Sequence, residues 1–160
     1  MWYKKATAYA LIGIEQMYYK VHHNALFWYV TLKYAKEADI PRLSAKAVKD
    51  GSVILLPHVN GGCYHTLISI DGEQCIREGL SKIKGVGEKA AKIIEAERKE
   101  NGNYKDYDDF LDRMEQYGRI VNKRVLDILY TEGAIDFNKT RYFSRCEKYN
   151  SALYGRANNS

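Results

Sequence analysis

Leu80-Ser81-Lys82-Ile83-Lys84-Gly85-Val86-Gly87-Glu88-Lys89-Ala90-Ala91-Lys92-Ile93-Ile94 is the stretch on which the reading of this chain turns. Two glycines flank one apolar residue. A short apolar stretch precedes them and an amphipathic helix follows. Glycine lets a backbone turn tightly and come close to a phosphate. N–H groups at such a turn, and at the start of the helix after it, point toward an anion. Val86 is expected to plug the turn into the core with Ala90, Ile93 and Ile94, which follow at helical spacing. Lys82, Lys84, Lys89 and Lys92 surround the turn with positive charge. Gly-x-Gly alone fits an ordinary turn between two helices equally well. The apolar flanks, the Ala90-Ala91 pair and the local lysines favour the anion-binding reading.

The pattern resembles a helix-hairpin-helix, a module that holds the nucleic-acid backbone without reading bases. On that resemblance Lys82, Lys84, Gly85, Val86, Gly87, Lys89 and Lys92 are candidate DNA contacts. The helix after the turn runs from about Gly87 to Asn101, with Gly102 as its stop. Downstream, Asp106 with Asp109 starts another helix that carries Phe110, Leu111 and Met114 inward. Asn122 caps the next, with Val125, Leu126 and Leu129 inward and Gly133 at its end. The turn between them, Gly118-Arg119-Ile120-Val121-Asn122, lacks Gly-x-Gly and reads as a degenerate second copy. Asn122, Lys123 and Arg124 at that helix start are further candidate phosphate contacts.

Upstream of the hairpins the pattern is mixed. Ala6–Val21 reads as a helix that is apolar nearly all round in its first half, and so is expected to be covered. Lys4 and Lys5 precede it and Lys20 lies in its last turn. Asn24 is a candidate N-cap for a second helix, Ala25–Ala38, with Leu26, Tyr29, Val30 and Lys33 on one face, Trp28, Leu32 and Ala35 beside it, and its large aromatics expected in the core. Pro41 opens a short third helix that Gly51 ends. Val53-Ile54-Leu55-Leu56 reads as a buried strand, and Asn60-Gly61-Gly62 as a turn. Tyr64–Ile70 and Glu73–Ile76 around Asp71-Gly72 read as a β-hairpin. Arg141–Tyr154 closes the chain as a helix, with Gly155–Ser160 expected to fray. The fold class is therefore mainly α with a small β-sheet (α+β).

The 160 residues suit one compact domain or two small lobes, and 46% hydrophobic content is enough for a core. A net charge of +5 agrees with a polyanionic partner. Between Lys139 and Arg156, Lys139, Arg141, Arg145, Lys148 and Arg156 face Glu147 alone. Cys63, Cys75 and Cys146 are widely spaced and form no CxxC pair, so reduced thiols in a cytoplasmic compartment are expected. The histidines show no metal-ligand spacing, and no metal site is expected. No leader or apolar stretch of membrane-spanning length is visible, so no membrane association is expected.

A second and more specific resemblance emerges from the series. Ala8-Tyr9-Ala10-Leu11-Ile12, Lys20 and His22-His23 look like the fingers region of the alpha subunit of bacterial DNA polymerase III, the C-family replicative polymerase. Leu55-Leu56-Pro57-His58-Val59-Asn60 resembles the segment between fingers and hairpins, which often reads Leu-Pro-Pro-Asp-Val-Asn. Ile76-Arg77-Glu78-Gly79-Leu80-Ser81-Lys82-Ile83-Lys84-Gly85-Val86-Gly87 resembles the next segment closely. Arg98, Asp109-Phe110, Arg113, Asn122-Lys123-Arg124 and Glu132-Gly133-Ala134-Ile135-Asp136 continue in the same order. The match runs from about Ala6 to Asp136. The chain departs from the family where Met1–Lys5 replaces its Phe-Asn-Lys-Ser-His stretch, and where Asn24 replaces the proline after its histidine-tyrosine pair.

The resemblance implies a fingers-like helical segment at 1–52 and a small sheet connector at 53–78. A tandem helix-hairpin-helix domain follows at 79–136, then a basic helix and tail at 137–160. It implies duplex or primer-template DNA as partner, and a separate palm-containing chain as a second partner. It also makes Lys4, Lys5 and Lys20 candidate nucleotide or template contacts. The family's palm and its metal-binding aspartates have no counterpart in this sequence. Phosphoryl transfer needs carboxylates that hold two metal ions, and the acidic residues here are scattered. No catalytic residue and no cofactor are therefore assigned to this chain, with Mg2+ expected only in a palm. Two other readings share the hairpins: a stand-alone duplex-binding module, and an interaction protein that mimics the polymerase segment. An excised piece, a split gene product and a small viral relative all fit the sequence.

Overall fold

The computed structural model describes residues 24–159. The helix expected at Ala6–Val21, with Lys4, Lys5 and Lys20, lies outside the described residues. Among the described residues there are six α-helices and a three-stranded sheet, as the mainly α reading with a small sheet requires. The helices are α1 (Asn24–Lys33), α2 (Ile40–Lys49), α3 (Glu88–Asn101), α4 (Tyr107–Met114), α5 (Lys123–Thr131) and α6 (Lys139–Asn158). The strands are β1 (Ile54–Leu55), β2 (Thr66–Ile70) and β3 (Glu73–Arg77), in the order β1-β3-β2. The described residues form two compact units interleaved along the chain: residues 24–53, 67–76 and 150–159 in one, residues 54–66 and 77–149 in the other.

In the first unit, α1 buries Ala25, Trp28 and Leu32, one stripe at helical spacing. Trp28 and Leu32 come from the Trp28/Leu32/Ala35 face, while Val30 of the neighbouring Leu26/Tyr29/Val30/Lys33 face is exposed. The helix also ends at Lys33 rather than Ala38, because Lys36 is extended (φ −68°, ψ 145°) before a 3-10 turn at Glu37–Asp39. Asn24 does not act simply as a cap: its amide donates to the Asp50 carbonyl at 2.5 Å, and its side-chain oxygen accepts from Ser52. The Trp28 indole N–H reaches Asp50 Oδ2 at 3.2 Å. α2 has proline in its first turn, as expected from Pro41. Asp71 and Gly72 both take positive φ, 51° and 84°, which a two-residue hairpin turn between β2 and β3 requires.

The second unit holds one apolar core that includes Leu80, Ile83, Val86, Ala90, Ile94, Phe110, Met114, Val125 and Leu129. The expected inward residues of all three hairpin helices thus meet in one place, with Ile93, Leu111 and Leu126 partly buried against them. Both expected side-chain caps are present. Asp106 accepts from Asp109 N at 2.8 Å, and Asn122 from Val125 N at 3.0 Å.

The hairpins are joined by one guanidinium. Arg113 Nε lies 3.2 Å from Glu97 Oε1, and its NH2 donates to the carbonyls of Glu97 and Gly102 at 3.1 and 2.8 Å. Arg113 also stacks over Tyr104, 4.2 Å from the ring centre. Asn60 fixes that tyrosine's backbone on both sides, accepting from Tyr104 N at 2.8 Å and donating to Tyr104 O at 3.0 Å. α6 runs to Asn158, so the helix continues past Gly155, where fraying is expected from the sequence. No helix among the described residues is long and apolar enough to cross a membrane.

Candidate nucleic-acid interface

The first element of the hairpin is a single 3-10 turn, Leu80–Lys82, rather than an α-helix. The chain then reverses through Ile83–Val86, closed by a 3.0 Å bond from Val86 N to Ile83 O. Gly85 sits in that turn at φ 94°, where an L side chain is disfavoured. Gly87 is different: its φ of −66° is open to any residue. A β-carbon there would meet nothing within 4 Å. Gly87 is the N-cap of α3 and, lacking a side chain, caps no N–H of the first turn. The first N–H groups of a helix have no intrahelical acceptor, and the dipole at this end favours an anion. Val86 is buried beneath the turn, with 4% exposure.

Gly85 also marks where the two hairpins meet, since a β-carbon on it would press on Ile128 of α5. A surface groove of about 520 Å³ lies at this junction. It is lined by Lys84 from the first turn and by Lys123 and Arg124 from the start of α5. Asp127 of α5 and Glu132, the residue that follows the helix, line it too. The groove thus carries three cationic side chains and two carboxylates. Asn122 closes α5 with its own side chain, so the two helix starts are not equivalent: one is capped and flanked by cations, the other is open.

The lysines of the first hairpin separate into two groups. All four are exposed, and what separates them is that Lys82 and Lys92 are each paired with a carboxylate. Lys82 Nζ lies 2.5 Å from the buried Glu78 carboxylate and 3.0 Å from the Tyr149 hydroxyl. Lys92 pairs at 3.0 Å with Glu88 across one helical turn. The basic C-terminal stretch is likewise partly engaged within the fold. Arg141 forms two bonds to Asp136, at 2.6 and 2.7 Å, and Arg145 lies against Gly133.

Two residues beside the turn carry no signal in the sequence that marks them out. Tyr64, which is exposed, donates its hydroxyl to the carboxylate of Glu88, the first residue of α3. The bond holds the Tyr64 phenol above its usual range and, together with Lys92, the Glu88 carboxyl below its own. Tyr64 is placed by Gly79, where a β-carbon would collide with the Cys63 carbonyl and fall 2.5 Å from Tyr64 Cα. The Asn60–Tyr64 loop can lie on the 3-10 turn only because Gly79 has no side chain. The same loop is tied to α3 by Arg98 Nε, 3.1 Å from Gly61 O, and by Glu95, which accepts from Cys63 N.

Asp106 is a cap, while Asp109 accepts from Lys105 N at 2.9 Å and pairs with Arg113 at 3.3 Å.

Comparison with known proteins agrees with this geometry. A family model described as the helix-hairpin-helix motif matches residues 51–142. The chain is 36% identical over 137 residues to the DNA polymerase III subunit alpha of Aquifex aeolicus (strain VF5), covering 85% of this chain and 12% of that protein. It is 35% identical over 135 residues to the same subunit of Thermus aquaticus, covering 82% and 10%. For Staphylococcus aureus (strain MRSA252) the figures are 32% over 139 residues, covering 85% and 13%. The chain thus spans about a tenth of the length of the curated relatives it matches.

Proposed function

The chain belongs to the helix-hairpin-helix family, and from that premise we propose that it grips the backbone of duplex DNA as the hairpin part of a C-family replicative polymerase. The observation that carries this reading is the groove where Lys84 meets Lys123 and Arg124 beside the Gly85 turn. Cationic side chains from separate hairpins converge there, beside a glycine turn and a helix start whose backbone N–H groups suit phosphate oxygens. Lys84, Gly85, Gly87 and Lys89 would contact one run of phosphates, and Asn122, Lys123 and Arg124 another, with Val86 holding the turn from beneath. Lys82 and Lys92 contribute charge to the surroundings while their ammonium groups serve Glu78 and Glu88.

As a polymerase part, the chain would hold primer-template duplex for a palm-bearing chain that supplies the catalytic carboxylates and Mg2+. Similarity to DNA polymerase III alpha subunits along most of the chain supports this over a stand-alone module or a mimic. The test is binding of two duplexes of equal length and unrelated sequence. The parent chain binds both alike, and the Lys84→Ala/Lys123→Ala/Arg124→Ala variant binds both less tightly while keeping its melting temperature. A strong preference for one duplex, or unchanged affinity in the variant, contradicts the proposal.

A further inference from the structure

The first turn of α3 contains an acidic residue where the proposed function needs an anion to arrive. Glu88 is the first residue of that helix. A carboxylate there is stabilised by the helix dipole. Left to itself, it would settle over the same N–H groups a phosphate would use and repel the phosphate as well. In the structure its carboxylate is drawn along the helix instead. Tyr64 donates its hydroxyl to Oε1, and Lys92 Nζ reaches the same oxygen at 3.0 Å. Lys92 also lies 5.9 Å from the centre of the Tyr64 ring. The three side chains close on one another beside the turn.

Tyr64 reaches this position from a loop that is held in several ways. Gly79 admits it, Ser81 N and Oγ donate to the Cys63 carbonyl at 3.0 and 2.7 Å, and Glu95 accepts from Cys63 N. A tyrosine held this firmly in the main chain yet 55% exposed as a residue gains little from burial. Its hydroxyl bond to Glu88 is the contact that the loop's placement provides.

We propose that Tyr64 is a positioning residue of the hairpin: with Lys92, it holds the Glu88 carboxylate away from the start of α3 and so keeps that helix N-terminus open to a DNA phosphate. The inference rests on the duplex-binding reading above and adds Tyr64 and Glu88 to the site. Tyr64 acts through Glu88 and need not touch DNA. Its role follows from the charge on Glu88 and disappears when that charge is removed.

The experiment is a double-mutant cycle on the full chain, read as duplex affinity at low salt. Tyr64→Phe weakens binding, by roughly two- to fivefold if a freed carboxylate interacts with the helix end as such charges usually do. Glu88→Gln binds more tightly than the parent. The Tyr64→Phe/Glu88→Gln double variant matches Glu88→Gln alone. Melting temperatures recorded in parallel separate loss of fold from loss of affinity. An equal loss from Tyr64→Phe in both backgrounds makes the tyrosine a direct DNA contact and overturns the proposal. So does a Tyr64→Phe variant that binds as the parent does. A parent chain that binds no duplex at all defeats the hairpin reading itself, a result distinct from either.

Discussion

A β-carbon placed on Gly85 would lie 2.6 Å from Cδ1 of Ile128, so the first hairpin's turn is seated directly on the helix of the second. Gly87, two residues on, faces open space. The two glycines of one motif therefore have separable roles. Gly85→Ala must adopt φ 94° and displace the Ile128 side chain, and the left-handed conformation alone costs about 1–2 kcal/mol. It is expected to lower both melting temperature and DNA affinity. Gly87→Ser supplies a good N-cap, so stability is kept or raised. Its side chain, however, occupies the phosphate's approach and engages an N–H the phosphate would use. Affinity falls while the fold holds. A Gly87→Ser chain that binds duplex like the parent would exclude close phosphate approach at α3.

Arg113 predicts a stability effect with no direct role in binding. Glu97 is 5% exposed and is surrounded by Arg113, Asn101 and Tyr117 as donors. Removing the guanidinium leaves a buried carboxylate without its countercharge, a change that typically costs about 3–5 kcal/mol. Arg113→Ala should unfold at much lower urea. Arg42→Ala, which breaks an exposed pair with Asp39, should shift stability by roughly 0.5 kcal/mol or less. Similar shifts for the two variants would show that the Glu97 site is not the junction described.

His58 sets a pH dependence. It is 8% exposed, its Nδ1 accepts from Asn60 N at 3.0 Å, and its Nε2 lies 3.0 Å from the Asp136 carbonyl. Those partners fix the neutral ring with the proton on Nε2. Burial lowers its pKa from 6.5 to about 4. The unfolded chain therefore takes up a proton at higher pH than the folded one. Stability is full above about pH 6.5 and declines as pH falls toward 4. His65, also lowered by burial, acts in the same direction. Unfolding free energy measured across this window should slope downward with acidity, and His58→Leu should flatten the slope even though it lowers stability at neutral pH. An unchanged slope in the variant would place the titration elsewhere.

Chemistry is expected only with a partner. With primer-template, dNTPs and Mg2+, the chain alone should incorporate no nucleotide; if the chain works as part of a split polymerase, a palm-bearing chain should restore incorporation. In that reconstituted enzyme, replacing Lys4, Lys5 and Lys20 with alanine should raise the nucleotide KM while duplex binding by the hairpins is retained. Incorporation proportional to the concentration of the isolated chain, after rigorous removal of host polymerase, would overturn this division of labour.

What is legible in the sequence is local. Gly85, the Asp106 and Asn122 caps, the Asp71-Gly72 turn and the buried faces of α3, α4 and α5 each follow from a few neighbouring residues. What is not legible depends on contacts between segments distant in the chain. Nothing near Lys82 shows that Tyr149 will join Glu78 in enclosing its ammonium group. Nothing near Gly79 shows that the Tyr64 backbone will cross over it. Tyr64 reads as one tyrosine among 14 until the fold places its hydroxyl on Glu88. The end of α1 differs from the sequence expectation for a related reason. Residues 34–38 suit a helix by composition, and the extended Lys36 that stops it is not encoded by glycine or proline.

Salt dependence of duplex affinity tests the account most directly. If the two hairpins together neutralise about three to five phosphates, log K falls against log salt with a slope of roughly −3 to −4.5. Replacing Lys84, Lys123 and Arg124 with alanine should make the slope shallower by about one for each phosphate no longer neutralised. A steep parent slope that flattens in the variant is the result predicted by a groove shared between the two turns. A flat response in the parent, or a slope that the triple variant leaves unchanged, would contradict it.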